Sequence, residues 1–342
     1  MSERIPVMVA GVGGASLGTE VFKCLRDAGR YDVYGCDISP YAYGHYQGGF
    51  AETFVIGREA YVDSVLALCR DNGIRAVIPG GEGPLALLGP AADLFKQASV
   101  HVAANCPEVI ATCSDKQKTF ERLAELDLPT PQTIAISTID DFADPGYPCI
   151  VKPASDTGGS RFVFLASDQV EARQYAAYVL DKSGTVLLQE YVSHRDGEFT
   201  VGVLSLPDGR TVGSVAMRRL FNAKLSVLME SDAGLISSGY SQGLIDDYPE
   251  VCRDAEQIAR ALGSTGPINI QGRLRDGRLL PFEINPRFSA STYLRALAGF
   301  NEVDIYLQYV LADAAPPEIS IRPGYYLRSL DEVAVDLYGL RQ

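Results

Sequence analysis

Along the first third of the chain, short hydrophobic runs alternate with amphipathic segments of helical period, as strands and helices do when they follow one another in turn. This alternation is typical of a parallel sheet with crossover helices. It predicts an amino-terminal α/β domain over residues 1–113. The predicted strands cover residues 7–11, 32–37 and 76–79, and the predicted helices cover 17–28 and 61–72.

Beyond residue 113, strands follow one another with fewer helices between them, which is typical of an α+β fold. Ser114, Asp115 and Lys116 begin a helix, and the prolines at 129 and 131 end it. We expect a second domain over residues 114–342. Its predicted strands cover 149–152, 162–165, 186–191, 199–206, 211–218 and a hairpin within 268–284, with helices at 167–180 and 248–262.

Composition excludes two classes of partner. The chain has 342 residues, of which 46% are hydrophobic, enough for two or three domain cores. Its formal net charge of -13 repels nucleic acid and anionic membranes, so any bound polyphosphate must meet local cations. No segment approaches the roughly 18 apolar residues that a membrane helix requires.

Seven scattered cysteines, never spaced as Cys-x-x-Cys, predict reduced thiols, no zinc cluster and a cytoplasmic protein. The histidines His45, His101 and His194 form no arrangement with a nucleophile, so we assign none of them a catalytic role.

A glycine-rich turn separates the first strand from its helix. It contains Gly11, Gly13 and Gly14, and Asp37 ends the second strand. In a dinucleotide site these glycines would approach phosphates and the aspartate would bind a ribose. Their spacing departs from G-x-G-x-x-G, and a tight turn accounts for them without a cofactor. We expect no nicotinamide binding.

Glu82 follows the strand at 76–79, at the edge of the sheet where ligands of such folds gather. Two interpretations stay open. Its carboxylate could bind an amino group of a substrate, or it could be a solvated acid that caps the next helix.

Lys152 ends a strand and is followed by a glycine-rich segment at 156–161. A lysine supplies a point charge, and glycines let backbone amides approach phosphate oxygens. The pair therefore predicts a phosphate site, although a hairpin tip alone would also explain the glycines. It is not a Walker loop, because G-x-x-x-x-G-K-[ST] is absent.

The hairpin near the carboxyl end carries a metal-binding pattern. Glu283 and Asn285 alternate with apolar residues, so both side chains lie on one face. Gln271, on the partner strand, reaches the same face if the loop has an odd length. Carboxylate and amide oxygens suit Mg²⁺ or Mn²⁺. An ordinary polar face is the alternative, but Arg287 at the same edge favours the metal site.

Five motifs occur in the order found in the ATP-grasp ligases: Ser-Asp-Lys, Val-Lys-Pro, Gly-Gly-Ser-Arg, Gln-Glu-Tyr-Val and Glu-Ile-Asn-Pro-Arg. The chain most resembles the branch of carbamoyl phosphate synthases and carboxylate-amine ligases. The resemblance implies an amino-terminal Rossmann-like pre-ATP-grasp domain and a two-lobed ATP-grasp fold. The implied parts of that fold are a small lid at about 132–188, a catalytic lobe at about 189–315 and a tail at 316–342 without an assigned role.

The same resemblance implies residue roles. It implies that Lys116 and Lys152 contact the phosphates of ATP, and that Gly158, Gly159, Ser160 and Arg161 form the tip of a flexible lid over them. It further implies that Glu190 and Val192 form the hinge that binds adenine, and that Glu198 binds the ribose. The implied metal ligands are Gln271, Glu283 and Asn285, and the implied catalytic cations are Arg287, Lys152 and Arg161.

Candidates for substrate recognition lie mainly in the segment 217–224. Arg218, Arg219 and Lys224 are cationic, and a guanidinium can bind a carboxylate bidentately. On a regular strand Arg218 and Arg219 cannot both face inward. Arg295 and Glu82 are further candidates.

The leading hypothesis is an ATP-dependent carboxylate-amine ligase that acts through an acyl-phosphate. Its partners would be a small-molecule carboxylate and an amine, one of them an amino acid by analogy with the branch, and a homodimer is left open. The alternatives are a bicarbonate-activating or carbamoyl-phosphate-type enzyme, and an ATP-binding regulator without turnover. The single grasp unit disfavours a true carbamoyl phosphate synthase, and Phe162 stands where the family usually has another glycine.

Overall fold

The computed structural model describes residues 4–154, 162–221, 226–239, 241–336 and 339–341. In this part of the chain the strands form sheets of five, four, six and two strands. The predicted lid tip, with Gly158, Gly159, Ser160 and Arg161, lies outside the described residues, and so does Lys224.

The amino-terminal sheet is parallel, and helices accompany it. Its central strand is hydrophobic on both faces, as expected of a strand that is covered on both sides. The strands are β1 (Ile5–Ala10), β2 (Tyr31–Asp37), β3 (Glu52–Val55), β4 (Ala76–Pro79) and β5 (His101–Val102), in the order β3-β2-β1-β4-β5. The helices are α1 (Leu17–Ala28), α2 (Tyr61–Asp71), α3 (Glu82–Leu88), α4 (Ala92–Gln97) and α5 (Pro107–Cys113).

A smaller antiparallel sheet follows the helix α6 (Lys116–Glu125). Asp115 caps α6, because its side chain accepts a hydrogen bond from the backbone N–H of Lys118 at 3.1 Å. The helix α7 (Gln169–Ser183) packs on the sheet through small and branched side chains. The strands are β6 (Thr133–Ile136), β7 (Cys149–Pro153), β8 (Phe164–Ala166) and β9 (Val186–Glu190), in the order β6-β9-β7-β8.

The large sheet is antiparallel. Its strands, in chain order, are β10 (Glu198–Ser205), β11 (Thr211–Arg219), β14 (Gly243–Ile245), β15 (Pro267–Arg275), β16 (Arg278–Asn285) and β17 (Gly324–Tyr326). They lie in the order β16-β15-β10-β11-β14-β17, and β12 (Ser226–Ser231) and β13 (Gly234–Gly239) form a separate hairpin. The remaining helices are α8 (Pro249–Ala261), α9 (Thr292–Leu297) and α10 (Glu302–Ala312).

The large sheet shares its hydrophobic cores with the amino-terminal region. Val109 of α5 and Phe120 of α6 are buried in one cluster with Val201, Ile270 and residues of α8. The helix α1 packs against α9 and α10 in a second cluster. This packing holds α3 and α6 beside the end of β16. No helix of the described residues is both long and apolar enough to cross a bilayer.

Candidate active site

A cavity of about 390 Å³ lies where α3 and α6 face the end of β16. The parallel sheet supplies α3 just beyond the carboxyl end of β4, and the large sheet supplies β16 and the loop after it. The cavity therefore draws its lining from three parts of the chain. Its polar lining includes Glu82, Lys116, Glu283, Asn285 and Arg287.

The predicted metal ligands come together on one face of the hairpin. Gln271 lies directly opposite Glu283 in the β15–β16 register. The Nε2 atom of Gln271 donates to Glu283 Oε2 at 3.1 Å, and Nδ2 of Asn285 donates to Glu283 Oε1 at 3.3 Å. Rotation of either amide would turn its oxygen toward the same space. One carboxylate flanked by two amides is a donor set that fits a hard divalent cation.

This set is poor in charge for a metal site made of protein alone. Within the described ranges, no group of three or more His, Cys, Asp or Glu side chains could hold a metal ion. Magnesium usually keeps only one or two protein carboxylates and takes further oxygens from phosphates. The residues present thus fit a cation that arrives with a polyphosphate.

Lys152 lies buried beside this face. Its Nζ donates to Gln189 Oε1 at 2.8 Å and to the carbonyl oxygen of Phe282 at 3.0 Å, and it lies 4.8 Å from the centroid of the Phe120 ring. Burial and the nearby charge of Lys116 lower the pKa of Lys152 to about 7, while Glu283 opposes this shift. Sequence reasoning gave Gln189 no role, although it is a polar residue that directly follows three apolar residues of β9.

Lys116 is at the first position of α6 and lines the cavity. Its backbone N–H donates to the carbonyl oxygen of Ala154 at 2.8 Å. This bond ties the start of α6 to the residue that follows β7, so Lys116 and Lys152 are held close enough for their charges to interact.

Arg287 forms an ion pair with Glu82 across the cavity. Its Nε donates to Glu82 Oε1 at 3.0 Å, its NH2 group contacts the same oxygen, and NH1 donates to the Phe288 carbonyl at 2.8 Å. Partial loss of hydration would raise the pKa of Glu82, but the charge and hydrogen bonds of Arg287 outweigh it and lower that pKa. Glu82 is the first residue of α3, so it lies within the helix and not at the capping position before it.

The predicted adenine hinge lies where β9 ends. The Glu190 side chain pairs with Arg275 and accepts from the backbone N–H of Gln132 at 3.2 Å. The carbonyl oxygen of Val192 accepts from NH1 of Arg273 at 2.8 Å. The side chain of Glu190 is thus occupied in holding the end of β9. Any contact with an adenine base would have to come from backbone groups of this segment.

The expected ribose role of Glu198 is not supported by its surroundings, and we correct it. Its carboxylate is buried, accepts from Arg219 NH1 at 2.6 Å and accepts from Arg273 Nε at 2.8 Å. A carboxylate enclosed by two arginines is structural. Arg273, which sequence reasoning did not single out, also donates through NH2 to the carbonyl oxygen of Leu235 at 2.7 Å.

Two predicted substrate arginines also need correction. Arg219 is buried against Glu198, whereas Arg218 is exposed, so they face opposite ways as strand alternation requires. Arg295 is fully buried and donates to Glu302 Oε1 at 2.6 Å and to Ser289 Oγ at 2.9 Å. Helix α9 directs it into the core, so it is a structural ion pair and does not bind substrate.

The glycine-rich turn after β1 is built for close packing. Asp37 accepts from the backbone N–H groups of Val12 and Ser39, each at 2.9 Å. Gly18 of α1 lies so close to the Gly11 carbonyl that a Cβ atom there would overlap it. The carboxylate and these glycines serve the turn itself.

Comparisons with known proteins agree with this architecture. The family described as "ATP-grasp in the biosynthetic pathway with Ter operon" matches residues 182–333. The carbamoyl phosphate synthase large chain of Vibrio cholerae is 27% identical over 66% of this chain and 21% of its own length. The arginine-specific large chain of Eremothecium gossypii is 25% identical over 96% of this chain and 31% of its own. The chain therefore spans less than a third of these curated relatives.

Among solved structures, the L-amino acid ligase from Bacillus licheniformis superposes with a TM-score of 0.64. It is 17% identical, and the match covers 90% of this chain and 74% of the ligase. That likeness concerns the fold. Together with the five ordered motifs and the sequence matches, it confirms the resemblance of the chain to the ATP-grasp ligases, in the branch of carbamoyl phosphate synthase.

Proposed function

We propose that the chain is a magnesium-ATP-dependent ligase that phosphorylates a substrate carboxylate and joins the resulting acyl-phosphate to an amine. The observation that carries the proposal is the shared cavity, which Lys116, Glu283, Asn285 and Arg287 all line. Lys116 and Arg287 line this cavity and Lys152 lies buried beside it, so a chain of net charge -13 offers local cations to a polyphosphate here.

Gln271, Glu283 and Asn285 would hold the magnesium ion. Bound there, it would neutralise charge on the phosphate oxygens. Because the protein offers it one carboxylate, the affinity of the site for the metal should depend on ATP. Glu283 also accepts hydrogen bonds from both amides, which keeps its oxygens directed into the cavity.

The chemistry requires alignment and charge neutralisation more than covalent help. A carboxylate oxygen of the substrate would attack the γ-phosphorus, and ADP would leave with the bonding pair. The amine would then attack the acyl carbon, lose a proton and expel inorganic phosphate. Lys116 and Lys152 would hold the phosphates, and Arg287 would stabilise the transferred group. Arg161, outside the described residues, has the same role by resemblance alone.

We also propose the domain division that the motifs imply. The five-stranded sheet would be a Rossmann-like pre-ATP-grasp domain over residues 1–113. The four-stranded sheet would be the lid at about 132–188, which excludes water from the acyl-phosphate when it closes. The position of β9 at the border supports this division, since β9 leads from the small sheet into the large one.

The experiment is ADP release measured with the twenty protein amino acids, each tested with an amine panel, and separately with bicarbonate. Turnover dependent on a carboxylate and an amine supports the ligase. Turnover with bicarbonate alone would replace it by a carboxylating enzyme, and tight magnesium-ATP binding without turnover would replace it by a regulator. Lys116→Met should weaken ATP binding, whereas Lys118→Met, on an exposed part of the same helix, should not.

A further inference from the structure

The ion pair between Glu82 and Arg287 joins two parts of the chain across the cavity. Glu82 begins α3, beside the parallel sheet, and Arg287 follows β16 of the large sheet. Both line the cavity, together with Lys116, Glu283 and Asn285. The arginine side chain is largely buried, whereas that of Glu82 is 62% exposed. A ligand entering the cavity can therefore reach the carboxylate.

This pair has no net charge. Arg287 directs Nε and NH2 to one oxygen of Glu82, and its NH1 donates to a backbone carbonyl. An arginine neutralised in this way attracts an anion less than a free one does. The positive charge that phosphoryl transfer requires is present at Arg287, but Glu82 cancels most of it.

We propose that Glu82 is the binding site for the ammonium group of a zwitterionic amino-acid substrate, and that binding there releases Arg287 from Glu82. The inference rests on the proposed ligase function. A free amino acid carries its ammonium and carboxylate groups one carbon apart, so it can enter a contact ion pair with each group facing its opposite charge. Its carboxylate then lies against Arg287, beside Glu283 and Asn285.

The arrangement links substrate selection to ATP use. The bound zwitterion adds one positive and one negative group, so the total charge of the set does not change. What changes is the partner of Arg287, which exchanges Glu82 for the substrate carboxylate that receives the phosphoryl group. Without the amino acid, Glu82 holds Arg287 and ATP is hydrolysed less readily. Glu82 thereby favours amino acids over carboxylic acids that lack an amine, and it limits wasteful hydrolysis of ATP.

The test compares Glu82→Gln with Glu250→Gln. The second variant breaks an exposed Glu–Arg pair on α8 that does not line the cavity. Phosphate release from magnesium-ATP is measured without substrate, then with each active amino acid and with its α-hydroxy acid. For Glu82→Gln, substrate-independent release should rise up to about fivefold, the change expected from an exposed ion pair. The preference for the amino acid over the hydroxy acid should also fall.

A binding measurement keeps the inference separate from the proposed function. By calorimetry, Glu82→Gln should bind magnesium-ATP more tightly than the natural protein, whether or not the chain turns ATP over. The active amino acid should tighten ATP binding in the natural protein and not in Glu82→Gln, since such coupling is reciprocal. Equal ATP affinity in Glu82→Gln and Glu250→Gln, or an unchanged preference over the hydroxy acid, would overturn the inference. If the ligase assay fails but Glu82→Gln still binds ATP more tightly, the ligase function is rejected, while the effect of Glu82 on Arg287 is retained.

Discussion

His101 should make the stability of the chain depend on pH. It lies on β5, where its Nε2 is 3.0 Å from the hydroxyl oxygen of Tyr306 on α10. Burial, with a smaller contribution from the charge of Lys96, lowers the pKa of His101 from 6.5 to about 4. The folded protein therefore keeps this imidazole neutral at pH values where the unfolded chain protonates it.

The size of the effect follows from linkage. A pKa lowered from 6.5 to about 4 corresponds to about 3 kcal/mol of unfolding free energy. Above pH 6.5 both states carry a neutral imidazole, so this stability is fully present. As the pH falls, the unfolded state binds a proton that the folded state refuses, and the contribution is lost by about pH 4.

The assay is urea unfolding of the natural protein and of His101→Gln, between about pH 4 and about pH 7. Carboxylates common to both proteins cancel in the difference between the two curves. The natural protein should lose about 3 kcal/mol more than the variant over this range. Parallel curves would refute the reasoning. Tyr306→Phe, which removes the hydroxyl but keeps the burial, should retain most of the pH dependence.

Three further outcomes are expected. Glu283→Ala and Asn285→Ala should each lower magnesium-dependent ADP release by about 100-fold or more without changing the thermal midpoint. The control variant Glu250→Gln should keep normal ADP release, and near-normal turnover in both metal-site variants would contradict the metal assignment. Glu198→Gln should cost about 3–5 kcal/mol in urea unfolding, because it leaves buried arginines without a carboxylate, and a loss below about 1 kcal/mol would contradict this. Fluorescence titration should show no saturable NADH binding, and binding that persists with excess ATP would show the opposite.

The elements predicted best are those whose own side chains specify them. The helix at 17–28 and the strand at 76–79 match α1 and β4 in both bounds. Strand alternation places Glu283 and Asn285 on one face of β16, as predicted. Gln271 reaches that face by a different route from the expected loop of odd length. The loop between β15 and β16 is Asp276 and Gly277, and a register shift between Gln271 and Gly272 brings Gln271 opposite Glu283. Alternation can be read from the sequence, whereas the register shift cannot.

Other elements depend on neighbours that are distant in sequence. The strands β5 and β17 have two and three residues, so hydrogen bonds to adjacent strands define them more than any side-chain pattern. The helix α10 is apolar around most of its circumference and lacks the helical period that would have identified it. Arg295 and Glu198 were misassigned because a charged residue looks available until its buried partner is known.

The buried group of Glu198, Arg219 and Arg273 also constrains how this sequence can evolve. Replacement of one member leaves an opposite charge without compensation in a buried site, whereas replacement of all three by well-packed apolar residues can be neutral. Variants in which only one or two of the three residues are replaced should therefore have low stability. Divergence at the three positions should therefore be correlated, so that close descendants of this chain keep the whole group and distant ones exchange it together. Because Arg273 also holds the carbonyls of Val192 and Leu235, such an exchange would have to carry the hinge and the β12–β13 hairpin with it.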